Sequence, residues 1–258
     1  MTDSKDKVGD RLKAQEQVEA SRRVDRTKPL MCRLDGRSFH TFTKGLARPY
    51  DVRLSNLMID TTKYLVEHTH AKLGYCQSDE ISLYWALDFK ANPEAQYLFD
   101  GKFQKLTSVL AGMASAFFSK ELASRIPEKA DHVAVFDARV WNVDTLTEVY
   151  ENYLWRQDDA IKNSISMAAQ AHFSAKQLHG VGSEAKKSML REVGDPWENK
   201  PTFFKSGTFV TRESVMVDLT KEQLAKIPEA HRPIGPVERT VVEDLGLGYI
   251  RGNTGLFL

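Results

Sequence analysis

A chain of 258 residues has room for one large domain or two small ones, and 41% hydrophobic residues are enough to build a real core. With 36 Lys+Arg against 35 Asp+Glu, 28% charged residues and two cysteines, the composition is that of an ordinary globular protein and excludes a disordered chain, a collagen or a disulfide scaffold. The longest nearly apolar run, residues 109–118, falls short of the ~18 residues a membrane span needs, and the polar residues 1–10 carry no secretory core, so no membrane partner is expected and the expected compartment is the cytoplasm.

Residues 11–26, rich in Gln, Glu, Ala and Arg, predict a solvated helix ended by Pro29. The apolar run 30–34 between Pro29 and Gly36 predicts a buried strand that delivers Asp35 at its carboxyl end. Leu57, Met58, Thr61 and Leu65 recur at helical spacing, with Asp51 placed to cap that helix. Residues 73–76 and 81–85 then read as a hairpin with an acidic tip formed by residues 77–80. A helix over 105–123, with Leu106, Val109, Leu110, Met113 and Phe117 on its inner stripe, leads to a strand over 133–140. Strand, helix, hairpin, helix, strand is the order of a ferredoxin-like α+β sandwich, with helices expected on one face of an antiparallel sheet. Beyond it, residues 146–171 predict a long helix with Tyr150, Leu154, Ile161, Ile165 and Ala168 inward, and 183–193 a shorter one. The expected organisation is a helical lead-in over 1–29, a catalytic core over 30–144, and a helical annex with a β-rich C-terminal segment over 145–258.

Two acidic sites at strand ends, Asp35 and the pair Asp79 and Glu80, carry the chemistry. In a split βαβ sheet the first strand can lie beside the hairpin and bring these carboxylates together, as Mg²⁺ requires when it takes one or two carboxylates and completes its shell with waters and phosphates. Asp-Gly and Ser-Asp are also ordinary turn pairs, so spacing leaves both readings open. Gly36 allows close backbone approach, and the amides after it can form an anion-binding concavity, although neither a Walker A nor a Gly-x-Gly-x-x-Gly motif is present. Lys44, Arg48, Lys102, Lys105 and Arg139 are candidate phosphate contacts, each with a solvated charge as its plainer reading. Cys32 and Cys76, far from any His cluster, read as buried thiols.

In order, the blocks Cys32-Arg33-Leu34-Asp35-Gly36-Arg37-Ser38-Phe39-His40, Arg48-Pro49-Tyr50-Asp51, Gln77-Ser78-Asp79-Glu80, Phe136-Asp137-Ala138-Arg139, Trp155-Arg156-Gln157 and Lys205-Ser206-Gly207-Thr208 resemble the tRNA-His guanylyltransferase family of 3′-to-5′ polymerases. The resemblance implies a polymerase-like palm, nucleotide addition to the 5′ end of tRNA with two Mg²⁺ ions, ATP and GTP or other nucleoside triphosphates as substrates, and a homotetramer. It implies Asp35, Gly36 and Asp79 as metal positions and Asp35, Asp79 and Glu80 as catalytic ones. Arg33, Gly36, Arg37, Ser38, Phe39, His40, Lys44, Lys105, Arg139 and Asn163 are implied as nucleotide-binding. Where family members that guanylylate tRNA-His carry His-Ile-Asn-Asn, this chain reads Ile161-Lys162-Asn163-Ser164. That departure points to the guanylyltransferase-like branch, which repairs 5′-truncated tRNA by templated addition. A palm-fold nucleotidyl cyclase would carry Gly-Gly-Asp/Glu-Glu-Phe in the hairpin where this chain has residues 77–81, and a non-catalytic tRNA-binding protein would not need Asp35, Gly36 and Asp79.

Overall fold

The structure, a computed structural model, describes residues 7–256. Helix α1 (Lys7–Ala20) stops short of the predicted end, because Arg22 to Val24 pair through their backbone with the segment at Gly101 to Phe103: Val24 donates to the Gly101 carbonyl at 2.9 Å and Phe103 to the Arg22 carbonyl at 2.9 Å. Strand β1 (Leu30–Gly36) follows, then a short turn of helix, α2 (Phe39–Phe42), and α3 (Val52–Thr69). The hairpin is β2 (Leu73–Gln77) and β3 (Glu80–Trp85), so the turn is only Ser78 and Asp79, and Glu80 already belongs to the strand. Helix α4 (Phe103–Arg125), β4 (Phe136–Asn142) and α5 (Leu146–Gln170) complete the predicted order. Then come α6 (Ala175–Leu178), α7 (Ser183–Glu192), α8 (Thr202–Ser206), β5 (Thr208–Val217), α9 (Lys221–Ala225) and β6 (Val237–Asp244).

Among the described residues the strands form one six-stranded sheet in the order β4-β1-β3-β2-β5-β6, every neighbouring pair antiparallel. The first four positions are the split βαβ arrangement expected from the sequence, so the fold is α+β. The C-terminal segment does more than pack on this core: β5 pairs with β2, and β6, which the sequence reading did not anticipate, pairs with β5. No helix among the described residues is long and apolar enough to cross a membrane.

Strand side chains alternate between faces, and the sheet separates them cleanly. Leu30, Cys32, Leu34, Ile81, Leu83 and Val140 face α3 and α4 in the larger core. Met31, Tyr75, Tyr84 and Phe209 face Val149 and Tyr153 of α5 in a second core, so helices cover both faces and not one. The buried stripe of α4 is Leu106, Leu110, Ala114, Phe118 and Leu122, a row at i+4 spacing, and Val109, Met113 and Phe117 lie at its edge. On α5 the inward residues are Val149, Tyr153, Gln157, Ala160, Ser164, Ile165, Ala168 and Ala169; Tyr150, Leu154 and Ile161 are only half-buried. The rotation follows from polar burial. The Gln157 amide donates to the Ser206 carbonyl (3.0 Å) and the Gly248 carbonyl (2.9 Å) and accepts from Ile250 N–H (2.7 Å), tying the C-terminal segment to α5. Both cysteines are buried thiols, and burial alone pushes Cys32 far above the usual thiol range.

Asp51 caps α3 as expected, and the buried carboxylate also holds Arg53. It accepts from Arg53 N–H (3.0 Å), Arg53 Nε (3.0 Å) and Arg53 Nη2 (2.7 Å), while Arg53 reaches on to Glu128. The Arg53 guanidinium is the main reason the Asp51 pKa falls to about 2. A carboxyl depressed in the folded state stabilises the fold fully above its unfolded value of about 3.9 and loses that contribution as pH falls through about 2. The expected outcome is that Asp51→Asn lowers stability at pH 7 by about 2 kcal/mol. Urea titrations at pH 7, 4 and 2 check this, because the gap between wild type and variant should shrink across the lower interval; a gap independent of pH would refute the assignment.

Candidate active site

Strand β1 lies between β3 and β4, and the register sets Asp35 directly opposite Glu80 on one side and Asp137 on the other. Beyond that row, Gly36 N–H donates to the Asp79 carbonyl at 3.1 Å, so the hairpin turn is joined to the end of β1. Ser78, at φ 51°, makes the turn tight enough for that contact. Glycine is required at position 36, where a Cβ would stand 2.4 Å from the Phe39 ring. That ring is buried against Phe42, Phe118 and Phe136 at centroid distances of 4.9, 5.6 and 5.4 Å, which anchors the loop after β1 in the core.

The acidic groups here are not equivalent. Glu80 is buried and takes a two-pronged bond from Arg156, Nε at 2.6 Å and Nη2 at 2.8 Å, with Arg33 Nε at 4.0 Å. Asp137 is 3.6 Å from Arg139. Asp35 and Asp79, among the described residues, form no ion pair. Burial raises the Asp79 pKa from its ordinary value, and the negative charges of Asp35 and Glu80 add to the effect, against hydrogen bonds from its own N–H and from Ser78. Two neighbouring half-buried carboxylates lacking a counter-charge are a hard-oxygen donor set that suits Mg²⁺ and leaves coordination positions open. Among the described residues no group of three or more His, Cys, Asp or Glu side chains forms a closed cage of the zinc kind.

Both carboxylates open into a cleft of about 660 Å³. Its polar end is lined by Asp35, Gly36, Ser38, His40, Lys44 and Asp79, with Arg48 and Asn163 along the walls. Phe39 also lines it, but its buried ring is a packing element that shapes the loop. The lining also has an aromatic part: Tyr50 lies 4.7 Å from Phe204 and 5.3 Å from Phe203, centroid to centroid. The sequence reading missed this part, although Phe203 and Phe204 stand just before the Lys-Ser-Gly-Thr block. It also missed Lys129, buried on the far side of the loop, whose Nζ donates to the Lys44 carbonyl at 2.9 Å and fixes that backbone.

Other residues implied by the resemblance lie outside the cleft. Arg37 is exposed and contributes its N–H to the Val135 carbonyl at 2.8 Å. Arg33 and Arg139 face each other across β1 and β4 on the α5 side of the sheet. Glu80 is engaged by Arg156 and does not line the cleft. Lys105 does not line the cleft: it sits in the first turn of α4, which starts beside Arg22. The 23 residues of α4 then span about 34 Å.

Removing one partner of a buried ion pair typically costs about 3–5 kcal/mol, because the other charge is left uncompensated. The expected outcome for Glu80→Gln is therefore a loss of about 3 kcal/mol in stability with little change in Mg²⁺ or Mn²⁺ binding. Calorimetric titration of the cation against Asp35→Ala and Glu80→Gln checks it; loss of cation binding in Glu80→Gln would make Glu80 a ligand after all.

The family model for tRNAHis guanylyltransferase matches residues 10–144 of the chain. A bacterial tRNA(His) guanylyltransferase (Thg1)-like protein, solved in complex with ATP, superposes with a TM-score of 0.79 at 31% identity over 97% of this chain and 99% of that one. The GTP complex of such a bacterial protein gives 0.75 at 29% identity, covering 98% and 100%. The tRNA(His) guanylyltransferase of Saccharomyces cerevisiae gives 0.65 at 25% identity, covering 76% and 91%. Matched through the same blocks that build the carboxylate pair and its loop, the chain belongs to the tRNAHis guanylyltransferase family of nucleotidyltransferases.

Proposed function

We propose that this nucleotidyltransferase repairs the 5′ end of tRNA by templated 3′-to-5′ addition of nucleotides. The observation that carries the reading is the cleft itself, whose lining combines two uncompensated carboxylates with an aromatic cluster. Its volume lies within the roughly 300–1,000 Å³ of small-molecule sites. A nucleoside triphosphate fits this polarity with its phosphates at the Asp35 end and its base toward Tyr50 and Phe204. The ATP and GTP complexes of the bacterial relatives support the same ligand class.

A 5′-monophosphorylated RNA must first be activated. Its phosphate attacks the α-phosphorus of ATP, the bond to the β-phosphate breaks, and pyrophosphate leaves an adenylylated 5′ end. The 3′-hydroxyl of an incoming triphosphate then attacks the RNA's 5′ phosphorus, loses its proton and expels AMP; a 5′-triphosphate end would expel pyrophosphate without prior activation. Asp35, Asp79 and the Gly36 carbonyl would hold Mg²⁺, which when bound supplies charge neutralisation for the phosphates and a more acidic attacking oxygen. Lys44, Arg48 and His40 orient the triphosphate through charge-assisted bonds, the strong class for phosphate. Phosphoryl transfer of this kind depends on positioning and charge, and needs no side-chain nucleophile.

Templated repair, as against addition of one G to intact tRNA-His, is supported by the stretch Ile161-Lys162-Asn163-Ser164. The Ser164 hydroxyl donates to the Lys205 carbonyl (3.1 Å) and accepts from Trp197 Nε1 (3.0 Å), so of the two members that line the cleft it is already engaged. The homotetramer and the cytoplasmic site belong to the same proposal, and light scattering tests the first.

Asp35→Ala or Asp79→Ala should lower nucleotide addition by at least about a thousandfold with an unchanged melting temperature, since each removes several kcal/mol of transition-state stabilisation. Near-normal turnover in either variant would overturn the site. For substrate choice, tRNA lacking its first nucleotide should outcompete intact tRNA-His in kcat/KM, because a templating base selects the incoming nucleotide without protein contacts to its edge. Preference for intact tRNA-His would mean that the chain adds a single G.

A further inference from the structure

Trp155, at 56%, is the most exposed large apolar side chain of α5 among the described residues. Two cations stand beside its ring. The guanidinium of Arg156 lies 4.7 Å from the ring centroid and that of Arg33 5.8 Å. Arg156 is fixed by its two bonds to Glu80, and Arg33 reaches the same carboxylate. The indole is thus a rigid aromatic surface left open to solvent, backed by cations that strengthen it as a stacking partner.

Its place in the fold matters. Arg33 is two residues before Asp35 on the same face of β1, about 6.6 Å along the strand. Trp155 is eight residues before Asn163 on α5, about 12 Å along the helix. Trp155 does not line the nucleotide cleft, whereas Asp35, on the same face of β1 as Arg33, does. Arg33 and Arg139, paired across β1 and β4 on this face, add positive charge beside the ring, as a phosphate backbone requires.

We infer that Trp155 is the stacking platform for the base of the RNA's 5′-terminal nucleotide, holding that end against the carboxylates while the incoming triphosphate occupies the cleft. The inference rests on the proposed function and names the contact that would seat its second substrate. A base presents a π-face whatever its identity, so such a contact secures the end without selecting sequence, which suits an enzyme guided by a template.

The test uses the full chain and a 5′-phosphorylated tRNA lacking its first nucleotide, in two forms, one with an intact 5′-terminal base and one abasic there. Anisotropy binding without ATP should show that the wild type prefers the intact form by about 5- to 100-fold, the span of a base–aromatic stack. Trp155→Leu should lose that preference and Trp155→Phe should keep most of it, with KM for the triphosphate unchanged in both. The exposed position makes loss of fold in either variant unexpected, and a role in shielding the Glu80 pair would move the melting temperature without touching the preference for a base. A preference that persists in Trp155→Leu, or one absent from the wild type, overturns the inference alone. A raised KM for the triphosphate with the RNA preference intact reassigns the stacked base to the nucleotide and also overturns it. Failure of the wild type to bind either RNA would instead refute the proposed function.

Discussion

The hydrogen bond from Gly36 N–H to the Asp79 carbonyl joins two pieces of chain more than forty residues apart, and the rest of the site depends on it. It holds the hairpin turn against the end of β1, and that end is where Asp35 emerges. Only glycine serves at position 36, because the Phe39 ring fills the space a Cβ would need. The ring in turn packs on Phe118 and Phe136, so the polar loop that follows is anchored to α4 and β4 through buried aromatic contacts. Pairs of this kind are worth about 0.5–1.5 kcal/mol each beyond their buried area. Together they keep a solvent-facing loop from drifting away from the carboxylates it must serve.

Placing acids at one end of a sheet carries an electrostatic cost, and the fold offsets it selectively. Glu80 is neutralised by Arg156, Asp137 by Arg139 and Asp51 by Arg53. Asp35 and Asp79 are left without such a partner among the described residues. Burial of Asp79 then favours a proton or an added cation over a bare charge, as its raised pKa records. The uncompensated pair is the one that opens into the cleft, where a divalent ion and a triphosphate would supply opposite charges to each other. Local stability and ligand binding are therefore coupled at these two residues, whereas the paired acids serve the fold itself.

Much of this was legible in the sequence. The strand before Asp35 and the Asp51 cap could be read from apolar runs and capping chemistry, because local pattern decides them. The hairpin tip was drawn two residues too wide. Gln77 and Glu80 are polar, yet they pair across the sheet, and only tertiary contact with Arg156 makes a glutamate a reasonable strand residue there. Lys105 matched a family block, but where it stands is set by the packing of α4, whose first turn lies outside the cleft lining. The inner stripe of α5 was misjudged for a related reason. Gln157 and Ser164 are buried polar residues whose partners lie in the C-terminal segment, and periodicity alone cannot see them. The aromatic wall needed Tyr50 to meet Phe203 and Phe204 across more than 150 residues of chain, a contact that no local window contains.

The stretch 161–164 and the carboxylate pair line one cleft but are held by different parts of the fold. The metal-type donors belong to β1 and the hairpin turn, whose geometry is set by strand pairing and core packing. The stretch 161–164 belongs to α5, and its attachment runs through Ser164 to Trp197 and the Lys205 carbonyl, on elements that contribute nothing to the carboxylate pair. Substitution there alters which polar groups reach the cleft while leaving the positions of Asp35 and Asp79 untouched. Of the four residues, Asn163 alone combines a place in the cleft wall with an exposed amide, and that amide is drawn toward Asp159 at 3.2 Å, itself a partner of Arg156. The chain of contacts from Asn163 through Asp159 and Arg156 to Glu80 therefore links this stretch to the carboxylate end of the sheet. Arg156 is the same guanidinium that backs Trp155, so Asn163, Glu80 and the indole share one electrostatic support.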